Sequence, residues 1–521
     1  MDTVRNIPTF LPEILQARIE SYGSSGKIPV VPIAAALLAI SYLFILYFQR
    51  PRALQAPLLR AELSEKERQK TYLTDSVSLL AEGYRKFKNG IYRLTTTDGV
   101  ESVILSAKYL DELKNASDDV VNFPAAINVL LAGKYSGISG DVNALAQHVI
   151  RSDLTPSLGR LQANIAEEVD LALERFLPAC EDWTTIKVHQ ALLNIIAEVS
   201  ARMFVGAPLC RNQRWIELSR DYTLTAFSVA RAMRQWKPWM RPFVQYFTPE
   251  LRQLKKVRQE AVKFMMPVTK ERSETEIKND DMTQWMKAKS SPSWAKDYEG
   301  QAALQVQLAM AAIHTTTMGA THMLYDLFAR PEYVEPLREE IQTVLAETGG
   351  FTKDTMAKLK KLDSFLKESQ RMSPPGVTTF KRRIMRDLTL SDGTFLPEGT
   401  LVEVDTVSRT KDPALVDEAD KFDGMRYYNL RENATTTRDA HMHQFVTSNS
   451  SSMHWGAGRH ACPGRFFAST EIKTIVAKML LAFDMKLADE AAGRPKNFHF
   501  GVQVTPDSTA EALFKKRRAA A

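Results

Sequence analysis

From Ile28 to Phe48 the chain reads "IPVVPIAAALLAISYLFILYF", 21 residues without a charge. At about 1.5 Å per residue, a helix of that length crosses a hydrocarbon core of roughly 30 Å. A removable signal peptide fits poorly. The run starts late, is longer than a usual signal core, and is followed by "QRPRAL" instead of a small-residue cleavage site. Arg50, Arg52 and Arg60 follow it, whereas residues 1–27 balance three acids against three bases, so the positive-inside tendency puts the chain beyond residue 50 in the cytosol. The expected organisation is a lumenal segment 1–27, a single-pass anchor 28–48, a linker 49–66 and a cytosolic domain 67–521. Leu11, Ile14, Leu15, Ile19 and Tyr22 recur at helical spacing, which predicts a short amphipathic helix on the far membrane face.

The remainder has the composition of a globular protein, 44% apolar and 25% charged. The net charge of +7 is spread along the chain, which argues against nucleic acid as a partner. Three cysteines, odd in number and far apart, exclude a disulfide framework and point to a reducing compartment. With no repeat or low-complexity tract after residue 67, one large domain is expected. Helix-like text dominates it. Short strand-like pieces lie toward its two ends, "GIYRLTT", "SVILSA", "TFKRRIM", "LVEVDTV" and "HFGVQVTP", so the fold is expected to be mainly α with a small β region. Residues 301–328 hold one charge, Asp326, but three glutamines, two histidines and four threonines make lipid an expensive home for them. They predict a helix through the centre of a soluble domain, with His314, Thr315 and Thr316 as polar residues needing a partner or a purpose.

The stretch "SSMHWGAGRHACPGRFFAST", residues 451–470, carries three glycines, two histidines and one cysteine. As a dinucleotide fingerprint, "GAGRHA" lacks the buried strand that must precede it. As zinc ligands, His454, His460 and Cys462 lack a second close pair. As a thiolate for iron, Cys462 stands just before a helix expected to start at Pro463, whose N–H groups around Gly464 would lower the thiol pKa. Gly456, Gly458 and Gly464 would allow tight turns and close approach to a flat ring. Thiolate ligation favours O–O cleavage.

The stretch resembles the haem-binding signature of the cytochrome P450 family, Phe-x-x-Gly-x-Arg-x-Cys-x-Gly, with Trp455, Gly458, Arg459, Cys462 and Gly464 taken as in register and Trp455 replacing phenylalanine. "KESQR" resembles the family's Glu-x-x-Arg helix, which implies a triad of Glu368, Arg371 and Arg426. "QHVIRSDLTPSL" resembles the helix that donates an arginine, here Arg151, to a haem propionate, and Arg382 or Arg383 is the implied second propionate ligand. In "AAIHTT", His314 stands where most members have an acid, and Thr315 is the alcohol of the proton-relaying pair; similar histidine-bearing helices occur in fungal enzymes that oxidise terpenoid-type secondary metabolites.

The resemblance implies a membrane-bound haem-thiolate monooxygenase of the endoplasmic reticulum. It would hold haem b through Cys462, take O2 as co-substrate, and draw electrons from NADPH through a reductase. Its apolar substrate would contact Ala311, Ala312, Thr316, Val377, Thr378 and Thr379. Desaturation, rearrangement or dehydration on the same haem, and a non-catalytic haem- or ligand-binding membrane protein, are the alternatives left open by the sequence.

Overall fold

The computed structural model describes residues 54–138, 144–275, 279–449 and 451–518, together with 36–38, 40 and 41. The chain divides into two compact units, Met1–Gln55 and Ala56–Ala521. In the first, the described residues Ala36, Leu37, Leu38, Ile40 and Ser41 are helical and exposed. The remainder of the expected anchor, and the amphipathic helix before it, lie outside the described residues. Among the described residues no helix is long and apolar enough to cross a membrane.

The second unit is mainly helical, with small sheets. Its helices longer than ten residues are α1 (Ser76–Phe87), α2 (Thr155–Phe176), α3 (Val188–Phe204), α4 (Gln213–Arg234), α5 (Pro249–Glu274), α6 (Tyr298–Phe328), α7 (Val334–Thr348), α8 (Lys360–Met372) and α9 (Arg465–Ala482). The stretch 301–328 forms most of α6, capped at its start by the Asp297 carboxylate on the Gly300 N–H at 2.9 Å. Helices α3, α4, α5, α8 and α9 all pack on α6, so its apolar residues are buried nearly all round. Its polar residues find partners inside: Thr317 and Thr321 donate to carbonyls one turn back, and Gln305 Nε2 donates to Thr283 Oγ1 at 2.8 Å. The one charge of 301–328, Asp326, is buried against Arg330, Arg494 and the Ser369 hydroxyl. These bonds let a polar-containing helix run through the core.

The five strand-like pieces all occur. Ile91–Thr95, Glu101–Leu105, Leu401–Asp405, Thr378–Ile384 and Val121–Asn122 pair in that order into a five-stranded sheet, with Glu101–Leu105 parallel to Leu401–Asp405 and the other pairs antiparallel. Asn497–Phe500 and Gln503–Pro506 form a hairpin. A further small sheet, Thr184–Lys187, Glu511–Lys516 and Phe483–Leu487, joins the C-terminal strand to the ends of two helical stretches. Two local irregularities bear on the cavity. Residues Ile150–Leu154 form a π-helical turn ahead of α2, and a bulge interrupts Thr378–Ile384 between Thr379 and Arg382.

Candidate functional site

Where α6 passes the start of α9, the two helices, the π turn and the segment after α8 enclose a mostly apolar cavity of about 380 Å³. From α6 it is lined at one helical period by Leu308, Ala311, Ala312, Thr315, Thr316, Gly319, His322 and Met323. The floor is the segment Trp455–Cys462. The Cys462 N–H donates to the Trp455 carbonyl at 2.7 Å, and Ala461 N–H to the Gly458 carbonyl at 3.0 Å, which curls the chain back under the thiol. Gly458 has φ +64°, and a Cβ on it would collide with the Lys114 carbonyl. Trp455 lines the cavity with its indole fixed by a 2.8 Å bond from Nε1 to the Phe445 carbonyl.

Helix α9 starts at Arg465, two residues later than expected, because Pro463 and Gly464 form a turn. Gly464 is its N-cap and supplies no side chain. The Gly464 and Arg465 N–H groups and the Arg465 guanidinium pull the Cys462 thiol down, but burial is the larger influence and holds it above its ordinary value. The expected lowering by the helix terminus is present in those N–H groups, and burial outweighs it.

Haem fits this cavity on observations independent of the signature. A Cβ on Gly464 would meet nothing within 4 Å, and one on Gly319 only Ile472 at 3.9 Å, so neither glycine is required by protein packing at the cavity wall. Arg382 is buried, and its hydrogen bonds reach the Lys381 and Ala457 carbonyls. Burial lowers it to about 10. Its guanidinium lies 4.3 Å from the ring centroid of Phe380 and 5.3 Å from that of Phe123, a cavity-lining residue. A guanidinium in that setting suits a ligand carboxylate. Arg151, on the π turn, also lines the cavity and donates to the Arg459 carbonyl at 3.0 Å. Neither Arg382 nor Arg383 lines the cavity itself; Arg382 is the one packed against the cavity-lining Phe123, and Arg383 is only partly buried.

Several expectations are corrected. Counting back from Cys462, the arginine of the signature falls on His460, not on Arg459. His460 lines the cavity, with Nε2 2.7 Å from Asp118 Oδ1, whereas the half-exposed Arg459 donates to the Ala116 carbonyl and pairs with Asp118 at 3.5 Å. His314 does not line the cavity. It lies off the face shared by Thr315 and Ala311, with its ring 5.1 Å from Phe227 on α4, and burial, with His189 and Arg231, lowers it to about 4. Ala311, Ala312 and Thr316 do line the cavity, but Val377, Thr378 and Thr379 do not. Val377, just ahead of the strand, is buried in a cluster that includes Leu59 and Tyr72, and on the strand Thr378 Oγ1 donates to Glu403 and Thr379 Oγ1 to the Met453 carbonyl. After α8 the wall is Ser373 and Pro375.

The structure does bring the triad together. Arg371 makes a bidentate pair with Glu368 at 2.7 and 2.8 Å, Arg426 Nε reaches the same carboxylate at 3.3 Å, and both side chains of the central pair are essentially unexposed. Arg371 also donates to the carbonyls of Thr410, Ala419 and Lys421, tying that loop to α8. Gly319 and His322 were missed, although the three-and-four spacing from Thr315 places both on its face. Phe123 and Phe445 carry no local signal in the sequence.

The Cytochrome P450 family model matches residues 144–513. The cytochrome P450 monooxygenase braC of Annulohypoxylon truncatum is 38% identical over 93% of this chain and 97% of its own. The cytochrome P450 monooxygenase olcJ of Penicillium canescens is 35% identical over 93% of each. Among solved structures, retinoic acid bound cyanobacterial CYP120A1 superposes with a TM-score of 0.67, covering 89% of this chain and 100% of that one at 17% identity, a likeness of fold. The chain therefore belongs to the cytochrome P450 family and is a P450 monooxygenase.

Proposed function

We propose that this chain is a membrane-anchored haem-thiolate monooxygenase of the endoplasmic reticulum, held by residues 28–48, that oxidises an apolar small molecule with O2 and with electrons from NADPH delivered by a reductase. Hydroxylation, epoxidation or successive oxidation fit the site equally, and a fungal terpenoid-type secondary metabolite is the substrate class that the resemblance of α6 supports. The observation that carries the reading is Cys462 on the floor of a mostly apolar cavity, with Thr315 on the α6 wall.

When bound, haem b supplies oxygen activation at an iron ligated by the Cys462 thiolate. Arg151 and His460 on the wall, with Arg382 beside Phe123, would hold its propionates. Thr315 Oγ1 donates to the Ala311 carbonyl at 2.8 Å, which orients the hydroxyl oxygen at the cavity wall, where it can accept a proton and pass one on. His314, packed on Phe227, is given no part in that step. Ala311 and Ala312 keep the α6 wall low, leaving room for substrate.

The test is the spectrum of the reduced, CO-bound full-length protein in microsomes, beside Cys462→Ala. The parent should show the red-shifted Soret band of a thiolate-ligated haem and the variant should not. A parent without that band would sink the proposal. Turnover under labelled O2 then separates insertion, which labels the product, from desaturation or rearrangement, which does not.

A further inference from the structure

Trp455 stands where the signature carries phenylalanine, so it brings to the cavity floor an N–H that phenylalanine lacks. A buried indole N–H needs an acceptor, and on this floor the Cys462 thiolate would be a charged one. The two residues are already clipped together by the 2.7 Å bond from the Cys462 N–H to the Trp455 carbonyl. The indole nevertheless has another partner, since Nε1 donates to the Phe445 carbonyl at 2.8 Å. We propose, resting on the haem-thiolate reading above, that this bond withholds the indole N–H from the sulfur, and that Asp363 and Lys367 on α8 are the positioning residues that keep its acceptor in place.

The acceptor is fixed from both sides. Lys367 Nζ donates to the Gln444 carbonyl at 2.8 Å, and the Phe445 N–H donates to Asp363 Oδ2 at 2.9 Å. That carbonyl and that N–H belong to one peptide unit, so two residues a single turn apart on α8 grip its plane at both ends. Lys367 Nζ also reaches the Met442 carbonyl at 3.3 Å. Asp363 is held in turn by Lys473 of α9 and, at 3.2 Å, by Arg431, and Asp363, Lys367 and Phe445 are all buried. Beyond the gripped plane, the Phe445 ring meets the indole edge-on, with centroids 5.4 Å apart and planes at 70°. With the peptide before it fixed and its ring packed on Trp455, Phe445 has little freedom to turn its own carbonyl away from Nε1.

The Cys462 sulfur already takes hydrogen bonds from the Gly464 and Arg465 N–H groups. A further donor would draw charge from the thiolate, weaken its donation to a bound iron and raise the reduction potential, because hydrogen bonds to a ligating sulfur are a lever on such a centre. Held on a main-chain carbonyl, the indole keeps its place in the floor without adding that bond. Asp363 and Lys367 do not line the cavity, so they act on the iron site only through Phe445 and Trp455, which do.

The full-length, haem-loaded protein is compared with Lys367→Met, alone and on a Trp455→Phe background, by redox titration and by the resonance Raman Fe–S stretch. Trp455→Phe alone should not lower the potential, since no bond to sulfur is lost. Lys367→Met frees the gripped peptide and with it the indole, so the potential should rise and the stretch should move to lower frequency. On the Trp455→Phe background neither shift should appear. Loss of a buried cation would by itself favour the ferric state and lower the potential, so a purely Coulombic role for Lys367 has the opposite sign. A fall or no change in haem-loaded Lys367→Met, a shift of equal size on both backgrounds, or a lowered potential in Trp455→Phe alone would overturn the proposal and leave the haem-thiolate reading standing. If Lys367→Met retains no haem, Asp363→Asn, which exchanges the ionic grip for a weaker neutral one, takes its place, and a shift of equal size on both backgrounds again overturns it. A parent without the thiolate CO band would overturn both.

Discussion

Gly458 and Gly464 stand six residues apart and are constrained by different neighbours. At 458 the backbone is left-handed and presses on the Lys114 carbonyl, so Gly458→Ala should lower stability by about 1–3 kcal/mol or more whether or not haem is present. At 464 the conformation is ordinary and the space open, so Gly464→Ala should leave the apoprotein's thermal midpoint within a degree or two while weakening haem retention. Thermal unfolding with and without haem, read beside the CO-bound band, checks both; a Gly464→Ala that destabilises the apoprotein as much as Gly458→Ala would refute the distinction. Residues of this kind were partly legible in the chain. Cys462 and the glycines could be read because their chemistry is local. His460 could have been found by counting back from the cysteine, whereas the direction in which His314 faces depends on α4 packing against α6, and α4 is far away in sequence.

At the scale of elements, α8 is fixed by ionic bonds that carry a heavy cost if left incomplete. Arg371→Ala would leave the buried Glu368 carboxylate with only the 3.3 Å contact from Arg426 and the Asp423 N–H, and would remove three ties to the 410–421 loop, for which about 3–5 kcal/mol is the ordinary loss. The expected outcome is protein that retains no haem and is degraded, and Arg371→Lys should fail to rescue it because an ammonium cannot reproduce the fork. Stable, haem-loaded Arg371→Ala would contradict this. Between α2 and α3 a second buried cluster sets a pH dependence. Glu198, paired with Arg175 and close to Glu168, which Arg211 holds, is pushed up to about 7, chiefly by burial. Because the folded state then binds the proton more tightly than the unfolded chain, stability should fall as pH rises from 4.5 toward 7 and level off above it. Thermal midpoints across that range should show the slope, and Glu198→Gln should flatten it. The strands were legible as short strand-like runs, and α6 from its length with a single charge. The bulge that seats Arg382 and the π turn that seats Arg151 were not, since both depend on partners outside the local sequence.

At the scale of the molecule, the two units divide between Gln55 and Ala56. The triad, the cavity and its floor all belong to Ala56–Ala521. Removing residues 1–53 should therefore leave the CO-bound spectrum of the thiolate haem unchanged; loss of that band on truncation, with expression maintained, would show that the first unit supports the site. The apolar run and the signature could be read at a distance because each is contiguous. The cavity could not, since its wall is gathered from segments hundreds of residues apart in the chain, from Phe123 to Ile472. Gly319 on α6 and Gly464 before α9 bear on how such a cavity selects its occupant. Each contributes bare backbone to the wall where a side chain would project into the cavity instead of into protein. An added methyl at either position would act as a shim, taking space from the occupant and none from the protein.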